Sequence, residues 1–416
     1  MASWLRFKIW EKIYYSKYVR YIWAVFVRLF SLSEYTAIKR YIAAGSGGFP
    51  KKNVIALSCG SAIFEHIFEH IKEIFSALKS HPSFTPLLVT SVKFSRSARK
   101  AKTFSDLEAK YGLTYGKNLF SYAWLSKVGP SVYIESQPTP YADFCKKTAK
   151  ILYAHGLANL GFSKDFSLIR YISKYDYLFL TGPLQKRAML EAHDAYGGRL
   201  PEMVEIGFLR GDRLLAKVKD CDKRALLAVM GLDDRFTILF APTWGEFSAT
   251  REWIDKVVDA ALKLDVNILI RLHPLLLGGI TGWETANIDW NARLEQIARR
   301  YKRVYIARED DIDNYLLASD ICITDASSVG MEFMLLGRPT LFLPAPNFFK
   351  IYGKERPIKW VMDGLEVSTY EELEERLKEC LEGRGRVKSY PLDKMVYNPG
   401  RTIDAMVTFL ERLTVK

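Results

Sequence analysis

The sequence predicts an α/β protein made of two doubly wound, Rossmann-like halves that face each other across a cleft. Three observations carry this expectation. Short apolar, β-rich runs alternate with helical spacers along most of the chain. The series occurs twice, once before and once after residue 208. Several runs end in polar, chemistry-bearing residues just where a helical pattern begins. Alternation of this kind marks parallel sheets covered by helices on both faces, and in such sheets ligands sit beyond the carboxyl ends of the strands.

Residues 1–47 stand apart. Trp4, Phe7, Trp10, Tyr14, Tyr15, Tyr18, Tyr21, Trp23, Phe26 and Phe30 are interleaved with Arg6, Lys8, Lys12, Lys17, Arg20 and Arg28, and Glu11 is the only acid before Glu34. Aromatic rings that settle at a headgroup boundary beside cations are what an interfacial helix needs, so an amphipathic membrane-association segment is expected. The competing reading is that these helices pack on the body of the protein. The Gly-rich run from Ala44 to Pro50 reads as a linker.

The first half, residues 48–208, carries expected strands at 54–58, 86–89, 131–135, 151–154 and 177–180. A linking segment, 201–212, leads into the second half, residues 209–416, with expected strands at 236–240, 266–270, 304–307, 320–324 and 340–343. The periodic stretches 370–381 and 402–413 read as closing helices.

Composition narrows the function. The 416 residues are 49% hydrophobic and 13% aromatic, enough for a full core and more than one domain. A surplus of 60 Lys and Arg over 47 Asp and Glu gives a formal charge of +13, which favours anionic partners: nucleotides, phosphorylated polymers, nucleic acid or acidic lipid. Five scattered cysteines without C-x-x-C spacing argue against a disulfide framework or a structural zinc site and suit a reducing cytoplasm. No apolar stretch reaches the roughly 18 residues that a spanning helix needs, and no secretory signal is expected.

The run from Asp320 to Phe333 is the most informative. Its strand-like start ends in Asp325, Ser327 and Ser328, and a helical pattern follows. Such a turn points backbone N–H groups and the positive end of a helix at an anion. Ser327 and Ser328 can add hydroxyl donors to phosphate, and Glu332 can accept from ribose hydroxyls. The same residues also fit a plain helix cap with Glu332 as a capping-box partner.

Two further strands end in histidine: His155 follows Ile151–Ala154, and His273 follows Ile268–Leu272 with Arg271 two residues before it. A neutral imidazole takes a proton near pH 7, and a charged one beside Arg271 stabilises a leaving phosphate. Thr243, after the 236–240 strand, lines the same expected cleft.

His66, Glu69 and His70 match an inverted zincin pattern, but their helix has ordinary packing periodicity, so no metal is expected. Lys93, Arg96, Arg99, Lys100 and Lys102 form a basic run, read either as a solvated face or as a grip on a phosphate-rich acceptor or lipid headgroups. No nucleic-acid module accompanies it, so nucleic acid is not an expected partner.

The ordered motifs His155-Gly, Thr181-Gly, Gly207-Phe-Leu-Arg210-Gly-Asp212, Ala241-Pro-Thr243, Arg271-Leu-His273-Pro and Asp311-Ile-Asp313 before Thr324–Val329 make residues 150–345 resemble the CDP-glycerol glycerophosphotransferase family of teichoic acid and capsule synthesis. The resemblance implies a GT-B fold and a CDP-polyol donor held mainly by the second half. It also implies a lipid-linked or polymer acceptor, reached from the cytoplasmic face of an anionic membrane by a peripheral enzyme. His155 is then the base on the acceptor hydroxyl, and His273 stabilises the donor pyrophosphate. Arg271, Ser327 and Ser328 contact phosphate, Glu332 contacts ribose, and Thr243, Asp325 and Gly207 complete the donor set. Lys93, Arg96, Arg99 and Lys100 become acceptor or membrane contacts. No cofactor is implied, and a homo-oligomer is compatible. Sugar-nucleotide glycosyltransferases and UDP-sugar 2-epimerases share the framework and form the alternative. A non-catalytic anion-binding protein is the other class, against which the two strand-end histidines argue.

Overall fold

Seven parallel strands form the first sheet in the order β3-β2-β1-β4-β5-β6-β7: β1 (Asn53–Ser58), β2 (Phe84–Thr90), β3 (Leu119–Ser121), β4 (Val132–Glu135), β5 (Ala149–Tyr153), β6 (Tyr177–Leu180) and β7 (Glu202–Glu205). The computed structural model describes residues 25, 32–46, 53–58, 64–90, 108–109, 112–113, 117, 119–136, 140–145, 147–153, 157, 172–245, 248–277, 287–308, 312–352, 357–385 and 391–415.

Every residue of β2 is buried, because helices cover both faces of the sheet. One face joins Ile55, Leu57, Leu88, Ile134, Ile151 and Phe179 to Phe68, Ile71, Ile74, Phe75 and Leu78 of the helix Phe64–Ser80. The helical spacing of those five residues turns one face to the sheet. The other face sets Ala56, Leu87, Val89, Tyr133 and Leu178 against Ile38 of the helix Leu32–Ser46 and Met189 of the helix Pro183–Tyr196.

The second sheet runs β10-β9-β8-β11-β12, again parallel: β8 (Thr237–Phe240), β9 (Asn267–Ile270), β10 (Val304–Ile306), β11 (Ile321–Thr324) and β12 (Thr340–Phe342). Trp253, Ile254 and Val257 of the helix Thr250–Lys263 cover one face, and Leu227, Tyr315, Leu316 and Phe333 cover the other. All ten expected strands are present, with ends shifted by a residue or two. β3 and β7 were not expected; β7 occupies part of the segment read as the link.

The last helix, Thr402–Thr414, returns to the first sheet, burying Met406 and Leu410 there. Its entry is fixed by Asp212 of the linking helix Leu209–Val218, whose carboxylate accepts from the Gly400 N–H at 2.6 Å and the Thr402 N–H at 2.9 Å. Arg401 at the cap position has no capping side-chain bond, so Asp212 caps this helix from another element. Gly207 makes room for the crossing. Its φ is +121°, and a Cβ there would meet the Tyr397 carbonyl at 2.5 Å and Thr402 Oγ1 at 2.4 Å.

Residues 32–46 lie within the segment assigned to membrane association, and they pack on the body. Glu34 Oε1 accepts from the Ser121 N–H at 2.6 Å, Tyr35 stacks on Trp124 at 4.9 Å, Ile38 is buried, and Tyr41 donates its hydroxyl to the Pro86 carbonyl. The rest of that segment, apart from Val25, lies outside the described residues, as do Lys93, Arg96, Arg99 and Lys100 and the side chains of His66, Glu69 and His70. Among the described residues no helix is long and apolar enough to cross a membrane.

Candidate active site

In the second sheet the chain steps from β8 outward through β9 and β10, then returns to β11 beside β8. The β8/β11 boundary is therefore a topological switch point, where the loops beyond two neighbouring strands part and leave a crevice. Thr243 follows β8, Asp325 to Ser328 follow β11, and Arg271 and His273 follow β9, so the second-half residues expected at the donor share one carboxyl edge.

Asp325 is fully buried and ties the crevice together. Its Oδ1 accepts from the Thr243 N–H at 2.7 Å and its Oδ2 from the Ala249 N–H at 2.9 Å. Burial pushes its pKa up to about 6, against the lowering effect of those two bonds and of Ser248. Its geometry is that of a clamp on the loop after β8. Thr324 reinforces the join by donating its hydroxyl to the Ala241 carbonyl at 2.7 Å.

Ser327 is the N-cap of the helix Ser328–Met334 and accepts from the Val329 N–H at 3.4 Å. Both serines are half-buried at the crevice. Gly330 lets this helix start hard against the sheet, since a Cβ there would meet the Phe342 ring and the Thr324 methyl at 2.7 Å.

Arg271 is buried and donates through one terminal nitrogen to the Leu272 carbonyl at 2.7 Å. His273 is half-buried, its ring 5.9 Å from that of Trp244. Its Nδ1 accepts from the Leu275 N–H at 3.2 Å. With Nδ1 accepting, a neutral ring carries its proton on Nε2, which makes that nitrogen a hydrogen-bond donor.

Glu332 is also buried, but its surroundings differ from a plain capping box. Arg210 Nε from the linking helix lies 3.2 Å from Glu332 Oε2. Burial raises the Glu332 pKa, and Arg210 opposes that shift. Gly207, expected with the donor set, is occupied by the crossing of the C-terminal helix described above.

The first sheet has its own switch point, between β1 and β4. Ser58 and Glu135 pair in register there; Ser58 shares a 2.6 Å hydrogen bond with the Tyr122 hydroxyl, and Tyr133 donates to Glu135 at 2.7 Å. This buried polar group has no signature in the sequence, because Ser58, Tyr122, Tyr133 and Glu135 lie in or beside apolar runs without a motif. His155, two residues beyond β5, lies outside the described residues.

The model of the family CDP-Glycerol:Poly(glycerophosphate) glycerophosphotransferase matches residues 64–384, well over half of the chain. The chain belongs to this family. Among curated glycerophosphotransferase relatives, the teichoic acid glycerol-phosphate transferase of Staphylococcus aureus is 26% identical over 44% of this chain and 47% of its own length. The teichoic acid glycerol-phosphate primase of Bacillus subtilis is 26% identical over 44% of this chain and 43% of its own. The aligned regions thus span about half the length of these relatives. Among solved structures, a variant of the wall teichoic acid polymerase TagF covers 95% of this chain and 96% of its own, with a TM-score of 0.53 at 15% identity. The UDP-GlcNAc 2-epimerase of Methanocaldococcus jannaschii covers 86% and 99%, with a TM-score of 0.56 at 14% identity. At such identities these likenesses establish the fold, and they agree with the expected GT-B-like pair of parallel sheets.

Proposed function

We propose that the chain transfers a polyol phosphate, glycerol phosphate foremost, from a CDP-activated donor to a lipid-linked or polymer acceptor in the synthesis of a teichoic acid-like or capsular polymer. The observation that carries this reading is the β8/β11 switch point, where a buried carboxylate orders the loop that holds Thr243 beside a capped helix start, in a chain of this family. The donor pyrophosphate meets the Ser327–Ser328 turn, Arg271 and the Nε2–H of His273, while Glu332 faces the ribose.

The acceptor hydroxyl oxygen then attacks the β-phosphorus in line. A new O–P bond forms as the bond from that phosphorus to the bridging oxygen breaks, CMP departs, and the hydroxyl proton passes to His155. Positioning and preorganised charge supply most of the rate in such transfers.

Incubation of the purified protein with CDP-glycerol and a glycerol-phosphate-primed lipid tests this directly. Release of CMP with growth of the acceptor is expected. No CMP release, with turnover of a UDP-sugar instead, would move the chain to the alternative chemistry of the same fold. We place the reaction at the cytoplasmic membrane face, supported by the aromatic and basic residues 1–31 and the basic run 93–102. Because residues 32–46 pack on the body, the informative truncation removes 1–31. Equal binding of both forms to anionic liposomes would overturn that placement.

A further inference from the structure

The linking helix Leu209–Val218 carries Arg210, Arg213 and Lys217 on one face, at the i, i+3 and i+7 spacing that stacks side chains along a helix. A row of cations on a helix usually faces water. Here it faces three carboxylates that come from both halves. Arg213 Nε donates to Asp313 Oδ2 at 2.9 Å, and its NH1 donates to Glu73 Oε1 at 2.7 Å. Asp313 opens the helix Asp313–Ala318 of the second half, whereas Glu73 sits on the helix Phe64–Ser80 of the first.

Lys217 donates to the same Asp313 oxygen at 2.8 Å, and Arg210 Nε lies 3.7 Å from Asp313 Oδ1 and 3.2 Å from Glu332. Three cations thus balance three carboxylates. Asp313 is fully buried, and the Arg213 side chain is only 14% exposed, so this pair is shielded from the solvent that weakens surface pairs.

We propose that Arg213 is a positioning residue for the transfer reaction, clasping the first half through Glu73 and the second through Asp313 so that the two carboxyl edges stand at the separation transfer requires. The guanidinium suits this task because its planar fork can serve two carboxylates at once, which a lysine ammonium cannot do with the same geometry. The donor residues lie in the second half, so loss of the clasp leaves donor binding in place and misaligns donor with acceptor. A displacement of about 1 Å between reacting groups is enough to cost up to about 100-fold in rate. The proposal rests on the transferase reading for its kinetic consequence and on geometry alone for the clasp.

The test uses the full chain with Arg213→Ala, Arg213→Lys and Glu73→Gln, each measured in two ways. Spin labels encoded at the exposed positions Ser80 and Lys302 report the distance between the halves, and calorimetry with CDP-glycerol is paired with the rate of CMP release. Arg213→Ala and Glu73→Gln are expected to broaden the distance distribution and to lower kcat by about tenfold or more, with donor Kd changed by less than about twofold. Arg213→Lys is expected to fall between them and wild type. An unchanged distance distribution, or donor affinity falling in step with kcat, would overturn the proposal. If wild type releases no CMP from CDP-glycerol, the transferase reading fails, and the distance measurement still decides the clasp.

Discussion

Asp325 has the strongest pH signature among the residues of the crevice. Its carboxyl titrates near 6 in the folded chain against an ordinary 3.8, so the folded state keeps a proton that the unfolded state releases. The stability this provides is full below about pH 3.8 and is lost as pH rises through 6, a change of about 3 kcal/mol. Asp325→Asn removes that dependence. Urea unfolding at intervals from pH 4 to pH 7 is expected to show wild type losing about 2 kcal/mol relative to the variant. A constant difference across that range would mean the carboxyl titrates normally. For His273, the Nδ1 contact with Leu275 leaves Nε2–H as the donor proposed to meet the pyrophosphate. His273→Ala is expected to lower kcat by about 100-fold, the usual loss for one preorganised donor, as read from CMP release. The places of the serine pair, Arg271 and His273 beyond their strands were visible in the sequence because each follows an apolar run closely, whereas His155 lies outside the described residues. The clamp duty of Asp325 and the pairing of Glu332 with Arg210 were not visible, since they join residues more than seventy positions apart.

At the scale of elements, the linking helix and the C-terminal helix depend on each other. Gly207→Ala must relieve two contacts near 2.5 Å and a φ of +121°. It is expected to destabilise the chain by more than 2 kcal/mol, whereas Gly231→Ala, with φ +72° and open space around it, should cost only about 1 kcal/mol. Asp212→Ala removes both cap acceptors from the C-terminal helix and is expected to cost about 1–2 kcal/mol in denaturant unfolding. Equal effects for the two glycines would show that the crossing yields easily. The ten expected strands were legible because each falls in a mostly apolar run of four or five residues. β3 runs straight into the helical turn Tyr122–Trp124, and β7 presents Glu202 and Glu205 to solvent at the sheet edge, so neither carries that signal. The cationic face of the linking helix gave no warning either, because spacing alone does not distinguish water from a buried carboxylate.

For the whole molecule, two switch points lie on two sheets joined by one linking helix and one returning helix, and the proposed chemistry draws on both halves. Alternating runs conveyed this architecture well. The fold is shared by a teichoic acid polymerase and a UDP-sugar epimerase at comparable TM-scores, so fold alone does not select the donor. The choice falls to the nucleotide. The most direct measurement is calorimetric titration of the full chain with CDP-glycerol, CDP and a UDP-sugar, repeated on His273→Ala. Binding selective for the CDP compounds and weakened about tenfold or more by the substitution is the predicted result. Preference for the UDP-sugar, or CDP-glycerol affinity indifferent to His273, would contradict it.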